Sequence, residues 1–230
     1  MKEPESRIVR RIEKPTKNGP HYIYEPYYVR AHSYEDLQNT DPFVFGDHFR
    51  YSWCQQPSHV SLRSLEQGCV ILFGSPTKEG FALDTVFVVL DYIKYMPKDC
   101  EALLRQVDET YRVVTLNPIS KGKTGACHET CTSQADSKTY RSYRGATADD
   151  NVDGMFSFFP CQAYAEDSLG FARPIIRMPT IKDSLPRGIK ITPCKNLGQV
   201  KNHWDEVVRQ VTKTCFLGVF AEMPREFKPN

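Results

Sequence analysis

The amino-acid sequence predicts an α+β fold in which a strongly bent or barrel-like sheet is flanked by short helices. Three observations lead there. Two apolar runs of strand length, "CVILFGS" (69–75) and "FALDTVFVVLDYIKY" (81–95), stand on either side of the turn-forming "PTKEG". About six to eight strand candidates accompany about three or four helix candidates, and the two kinds do not alternate as a doubly wound parallel sheet requires. The chain has 230 residues, 40% of them hydrophobic and 25% charged. A chain of that size buries roughly 70% of its unfolded surface without help from disulfides or metals. We therefore expect a single α+β domain over residues 21–230, preceded by a flexible arm over residues 1–20, which is charged and punctuated by Pro and Gly.

Taken in order, "HYIYEPYYVRAH" (21–32) is aromatic-rich and contains Pro26, which suits an edge strand. "SYEDLQNT" (33–40) offers a Ser N-cap with Asp36 three residues on, a signal for one helical turn. "SLRSLEQG" (61–68) reads as a short helix stopped by Gly68. The two apolar strands follow. In the second, alternation puts Phe81, Leu83, Thr85, Phe87 and Val89 on one face and Ala82, Asp84, Val86, Val88 and Leu90 on the other. Both faces are apolar, as in a central strand, with Asp84 as the exception. "KDCEALLRQV" (98–107) predicts a helix, "TYRVVTLNPI" (110–119) a strand, and the Gly-, Ser-, Thr- and Lys-rich 120–140 a long exposed loop. "GMFSFFPCQAY" (154–164), "ARPIIRMP" (172–179) and "GIKITPC" (188–194) are further strand candidates. "GQVKNHWDEVVRQVTKT" (198–214) is an amphipathic helix, with Val200, Trp204, Val207, Val208 and Val211 at helical spacing. "CFLGVFAEMP" (215–224) supplies a last strand.

No apolar run approaches the ~20 residues of a membrane span, and the N-terminal stretch has no apolar signal core. The expectation is a cytoplasmic protein without a membrane partner, its eight Cys reduced. The net charge of +2 neither requires nor excludes a nucleic acid. "GKTG" (122–125) lacks the Gly-to-Gly-Lys spacing and following helix of a phosphate loop. Cys127, His128 and Cys131 fall short of the four ligands of a zinc site, and no second cluster completes them. No metal and no cofactor are expected.

The remaining chemistry is concentrated between His48 and Ser75 and in "YRSYRGATADD" (140–150). Cys54 with His48 or His59 has the residue types of a nucleophile and its base. Asp84, in an apolar strand, needs either an Arg partner or a ligand with N–H groups. Arg141 and Arg144, set among Tyr140 and Tyr143, have the planar donor forks that suit phosphate.

The segments "RYSWCQQ", "SLRSLEQGCVILFGS" and "GFALDTVFVVLDYI" together resemble the start of PUA-like domains, in particular the EVE and ASCH branches. The fuller set "DPFVFGDHFRYSWC", "ILFGS", "LDTVFVV" and "GMFSFFPC" looks like the nucleotide-modification-associated domain families. The strand that opens Gly-Asp in the PUA-like pattern opens Gly68-Cys69 here. The resemblance implies a PUA-like bent sheet or pseudo-barrel with an aromatic pocket for a modified base, in a DNA-modification or phage-defence setting. It places Tyr51 and Trp53 as stacking residues and Ser52, Gln55 and Gln56 at base edges. Phe73, Gly74 and Ser75 would line the pocket, and Asp84 would accept from a base amine. Arg50, Arg63, Arg141 and Arg144 would form a basic groove for phosphates. The implied partner is DNA, RNA or a nucleotide. An enzyme acting on a nucleobase or nucleotide, of transferase or glycosylase type, is the alternative, with His48, Asp84 or Cys54 as acid, base or nucleophile. A partner-binding protein without a small ligand is the third reading, and the oligomeric state stays open.

Overall fold

The computed structural model describes residues 7–11, 22–25, 42–54, 56–96, 103, 105–116, 138–162, 171–178 and 194–221. The helical turn expected at 33–40, all but Cys194 of the strand expected at 188–194, six of the ten residues of the helix at 98–107 and most of the loop at 120–140 lie outside these residues. So do Gln55, Cys127, His128 and Cys131. The fold is α+β, with a bent, mostly antiparallel sheet that does not close into a barrel. Strand β1 (Arg7–Arg11) pairs antiparallel with β2 (Tyr22–Glu25), so the stretch expected as a flexible arm contributes a strand.

The main sheet has the order β3 (Arg50–Tyr51), β6 (Tyr140–Gly145), β5 (Phe81–Tyr95) and β4 (Val70–Pro76), with β8 (Ile175–Ile176) also on β5. The central position predicted for β5 is what the structure has: all of Phe81–Leu90 except Asp84 is buried. Its partners change along its length. One edge takes β4. The other takes β8 at Phe81 and Ala82, then a bridge from Val86 to Phe158, then β6 from Val89 to Tyr95.

The predicted face assignment of β5 is overturned by a bulge. Phe73 lies opposite Thr85 and Gly74 opposite Leu83, which leaves Asp84 as the extra residue. One extra residue inverts the alternation beyond it. Phe81 and Leu83 therefore pack with Val86, Val88 and Leu90 in one core, whereas Phe87 and Val89 enter the other. A second irregularity leaves Leu90 unopposed between Val89 and Asp91 on the β6 side. Each bulge adds bend and twist to the strand.

Helix α2 (Leu197–Val211) covers the first core through Trp204, Val207 and Val211, with Val200 and Val208 packed at its margin, as their spacing predicts. The Asn196 side chain caps it by accepting from Gln199 N–H at 3.0 Å. The short pieces flank the sheet. The helix expected at 61–68 is one 3₁₀ turn, Val60–Arg63, followed by Gly68 at φ +83. Ser64 donates its hydroxyl to the Val60 carbonyl, a local bond that competes with continuation of the helix. The strand expected at 110–119 is instead helical: α1 (Glu109–Tyr111) runs into a π-helical turn, Arg112–Leu116. Asp108 starts it by accepting from Tyr111 N–H at 2.7 Å, and the buried Tyr111 and Leu116 anchor it against the second core. Tertiary anchoring here overrides the strand preference of Val113 and Val114. The last predicted strand is β9 (Phe216–Gly218), paired with β7 (Phe159–Cys161).

Trp204 is 6% exposed and donates from its indole nitrogen to the Phe156 carbonyl at 3.1 Å. Replacing it with Ala should lower unfolding stability by about 3–5 kcal/mol, read as a lower denaturant midpoint with an unchanged slope.

Candidate functional site

The sheet end formed by β3, β6 and β5 carries most of the residues singled out from sequence. Register sorts them. Arg144 lies between Arg50 and Asp91, Ser142 is opposite Ile93, and Tyr140 is opposite Tyr95. One face therefore presents a charged row, a hydroxyl row and an aromatic row. Tyr51, Tyr143, Tyr92 and Arg141 belong to the other face.

Three residues expected to contact a base are committed to the protein's own interior. Tyr51 is 1% exposed; its ring stacks on Tyr143 at 5.7 Å and 10°, and meets Phe73 and Phe87 edge-on. Its hydroxyl donates to the Cys54 carbonyl at 2.6 Å. The Ser52 hydroxyl bonds the Tyr111 hydroxyl at 2.5 Å and the Ser142 hydroxyl at 2.7 Å, in a cluster closed to water. Gln56 reads backbone rather than bases. Its amide nitrogen donates to the carbonyls of Ser52 (2.9 Å) and Arg141 (2.8 Å), and its amide oxygen accepts from Arg141 N–H (3.2 Å).

Phe73 packs on Tyr51. Gly74 lies hard against β5: a Cβ there would strike the Ala82 carbonyl and the Phe81 ring. Glycine is required at that point for strand contact.

Asp84 has an Arg partner. The Arg173 guanidinium forks onto its carboxylate, with Nη2 to Oδ2 at 2.6 Å, and also reaches Ser75 Oγ at 3.4 Å. The bulge places Asp84 at this edge, and the fork ties the segment carrying β8 to the β4–β5 hairpin. Burial pushes the Asp84 pKa up to about 6, against the pull of Arg173. Its side chain keeps 37% of its surface, so water still reaches and screens part of the carboxylate.

The arginines differ. Arg141 donates to the Leu65 carbonyl at 2.5 Å and to Glu66 at 3.1 Å, and lies 3.9 Å over the Tyr92 ring. Arg144 forks onto Asp91, with Nε 3.1 Å from both oxygens. Arg63 stands 5.6 Å from the Tyr140 ring centroid. Arg50 Nε is buried without an acceptor among the described residues. Tyr143, under Arg141, is pushed up to about 12 by burial, and its hydroxyl donates to the Leu62 carbonyl at 2.7 Å.

The proposed catalytic residues are dispersed. His48 Nδ1 lies 3.3 Å from the Gly145 carbonyl, which accepts from the Nδ1–H tautomer. Cys54 adjoins the Tyr51 hydroxyl through its backbone, and Asp84 is with Arg173. No described contact joins any two of the three. Among the described residues no group of three or more His, Cys, Asp and Glu side chains is placed to hold a metal, and no helix is long and apolar enough to cross a membrane.

Sequence reasoning missed Tyr111, Tyr95 and Arg173. Tyr95 donates its hydroxyl to the Ser52 carbonyl at 2.8 Å. Only Arg173 had a signal: a buried carboxylate asks for an Arg. Comparison with protein-family models, curated proteins and solved structures returns no match.

Gln56→Ala should destabilise the fold by about 1–3 kcal/mol in thermal or denaturant unfolding, because it strands the backbone N–H and carbonyl of Arg141, whereas the Ser52 carbonyl keeps Tyr95. A second expectation concerns pH. The folded chain holds a proton on Asp84 up to about 6, whereas the unfolded chain releases it near 3.8. Asp84 thus favours folding most below the lower value and loses that contribution as pH rises to the upper one. In Asp84→Asn this component of the pH slope should vanish, which unfolding midpoints measured from acid to neutral pH would reveal.

Proposed function

We propose that the protein is a nucleic-acid or nucleotide-binding module that holds a modified base against Trp53. The supporting observation is an aromatic and cationic ledge. Trp53 keeps part of its surface in solvent while its ring lies 4.9 Å from Tyr140 at 30°. Tyr140 is backed by Tyr95 at 5.9 Å and faced by Arg63 at 5.6 Å. An indole fixed by a second ring offers a base a rigid stacking partner, and stacking contributes about 1–3 kcal/mol per base. A methyl group on the base adds about 0.8 kcal/mol for each carbon buried, which favours the modified form.

The base contacts reduce to this ledge, because Tyr51, Ser52 and Gln56 are occupied internally. The resemblance to PUA-like pseudo-barrels and nucleotide-modification-associated domains supports the same reading and its DNA-modification or phage-defence setting. Binding is favoured over catalysis because the described partners of the His48 and Asp84 side chains are Gly145 and Arg173, which joins neither of them to the other or to Cys54.

The chain has two Trp, and Trp204 is buried under α2. Emission from Trp53 should be quenched by short oligonucleotides or nucleotides, more strongly when the base is methylated, with no change in ligand mass. The response should disappear in Trp53→Phe if the indole is the stacking surface. Unchanged emission at low salt across DNA, RNA and nucleotides would sink the reading. A changed ligand mass would make the protein an enzyme.

A further inference from the structure

The four arginines predicted to form a phosphate groove divide sharply by how their charge is answered. Arg141 is engaged by Leu65 and Glu66, and Arg144 by Asp91. The Arg50 guanidinium makes no ion pair among the described residues, and its Nε is sealed from solvent with no acceptor. A guanidinium stays protonated at any ordinary pH, so this is a charge partly withdrawn from water with no carboxylate in direct contact among the described residues.

The backbone makes the position more unusual. Arg50 N–H donates to the Phe43 carbonyl and the Arg50 carbonyl accepts from Phe43 N–H, both at 2.8 Å. Arg50 therefore faces Arg144 as a non-hydrogen-bonded pair, the kind that brings opposite side chains closest. Like charges in that arrangement repel. Asp91 forks onto Arg144, and only its longer-range field reaches Arg50. Asp108, whose field also reaches Arg50, spends Oδ1 on Tyr111 N–H. Withdrawal from water lowers the Arg50 pKa; Tyr111, Asp108 and Asp91 oppose this, and Arg144 adds to it.

We propose that Arg50, with the Nη1 of Arg144 beside it, is a binding site for a phosphate group. Arg144 Nε and Nη2 face Asp91, which leaves Nη1 without a hydrogen bond among the described residues. The two Nη groups of Arg50, whose Nε is sealed inside, and one further amino group suit a tetrahedral oxyanion with several acceptor oxygens, and the paired Nη groups of a planar fork match it bidentately. The rim admits solvent: the Arg144 and Asp91 side chains keep 32% and 51% of their surface. A phosphate would relieve the Arg50–Arg144 repulsion that the protein itself leaves half answered. Assigning that phosphate to a nucleotide rests on the base reading above; the anion site does not. Trp53 lies three residues along the chain, a reach of about 10 Å if extended, which leaves room for a sugar between base and phosphate.

The test uses the full chain labelled with ¹⁵N-arginine, titrated with inorganic phosphate against chloride at equal ionic strength. The Nε–H resonances of Arg50 and Arg144 should shift saturably in the unmutated protein, and that of Arg144 reports the titration in the Arg50 variants. Arg50→Lys, which keeps the charge and loses the fork, should weaken the effect at least tenfold as read from the titration midpoint. In Arg50→Met it should be absent. A shift that does not saturate, or that has the same midpoint in Arg50→Lys, overturns the site, and this comparison stands even if Arg50→Met does not fold. Adenosine 5′-monophosphate and an oligothymidylate lacking a terminal phosphate then separate the two sources of phosphate. Tighter binding of the first supports a free nucleotide, and of the second a strand. Trp53→Ala keeps the two proposals apart: a phosphate shift that survives it upholds the anion site whether or not bases bind. Nucleoside quenching of Trp53 that survives in Arg50→Lys upholds the ledge whether or not phosphate binds.

Discussion

One strand must bury both of its faces and change neighbours along its length, and the rest of the fold is arranged around how β5 does this. Its two unopposed residues, Asp84 and Leu90, are the device. At the first, alternation inverts, so the strand supplies Phe81 and Leu83 to the core that helix α2 covers. Beyond the second, one edge continues along β6, which carries the strand toward β3. A flat strand of this length would need one continuous neighbour on each side. The bulged one accepts β8, Phe158 and β6 in turn along a single edge.

The polar interior follows from the shortness of β3. The register of Arg50 with Arg144 and Tyr51 with Tyr143 would next set Ser52 against Ser142 and Trp53 against Arg141. The chain turns away at Trp53, and the backbone groups of Arg141 would be left without partners. The side-chain amide of Gln56 takes the vacated place, donating to the Arg141 carbonyl and accepting from its N–H as a peptide group would. Ser52, Ser142 and Tyr111 close the space beneath with hydroxyl-to-hydroxyl bonds. This polar packing frees Trp53 from the ladder and leaves the residue part-exposed.

The architecture was legible where periodicity is local. The central strand, its hairpin with β4, the apolar face of α2 and the need of Asp84 for an Arg could all be read from residue spacing. The β5 faces could not, because a bulge is defined by pairing across strands and leaves no mark on the strand's own alternation. The α1 segment was misread because its Val residues suggest a strand, while the anchor that decides the matter, Tyr111 against Ser52, spans 59 residues of sequence. The site suffered for the same reason. Ser52 and Gln56 have the chemistry of base readers, but their partners at Tyr111, Arg141 and Ser142 are distant in sequence and adjacent in space. The four arginines look alike in sequence, and only their carboxylate and carbonyl neighbours separate the engaged ones from Arg50.

The inversion at Asp84 also sets where the chain can change length. The turn at Thr77–Gly80 lies outside the pairing of the two cores, so an added residue there lengthens a loop. Asp84 is the spare residue that puts Leu83 and Val86, three apart, on one face. Deleting it would leave them two apart, the spacing of a regular strand, so both cores would keep their contents and the loss would fall on the bend and on the Arg173 fork. A residue added within the regularly paired stretch, between Val86 and Val88, has no spare position to absorb it and would send the residues beyond it to the wrong core. The bulge is thus a place where the strand can lose a residue without losing its register, although it carries the one carboxylate of the buried stretch Phe81–Leu90.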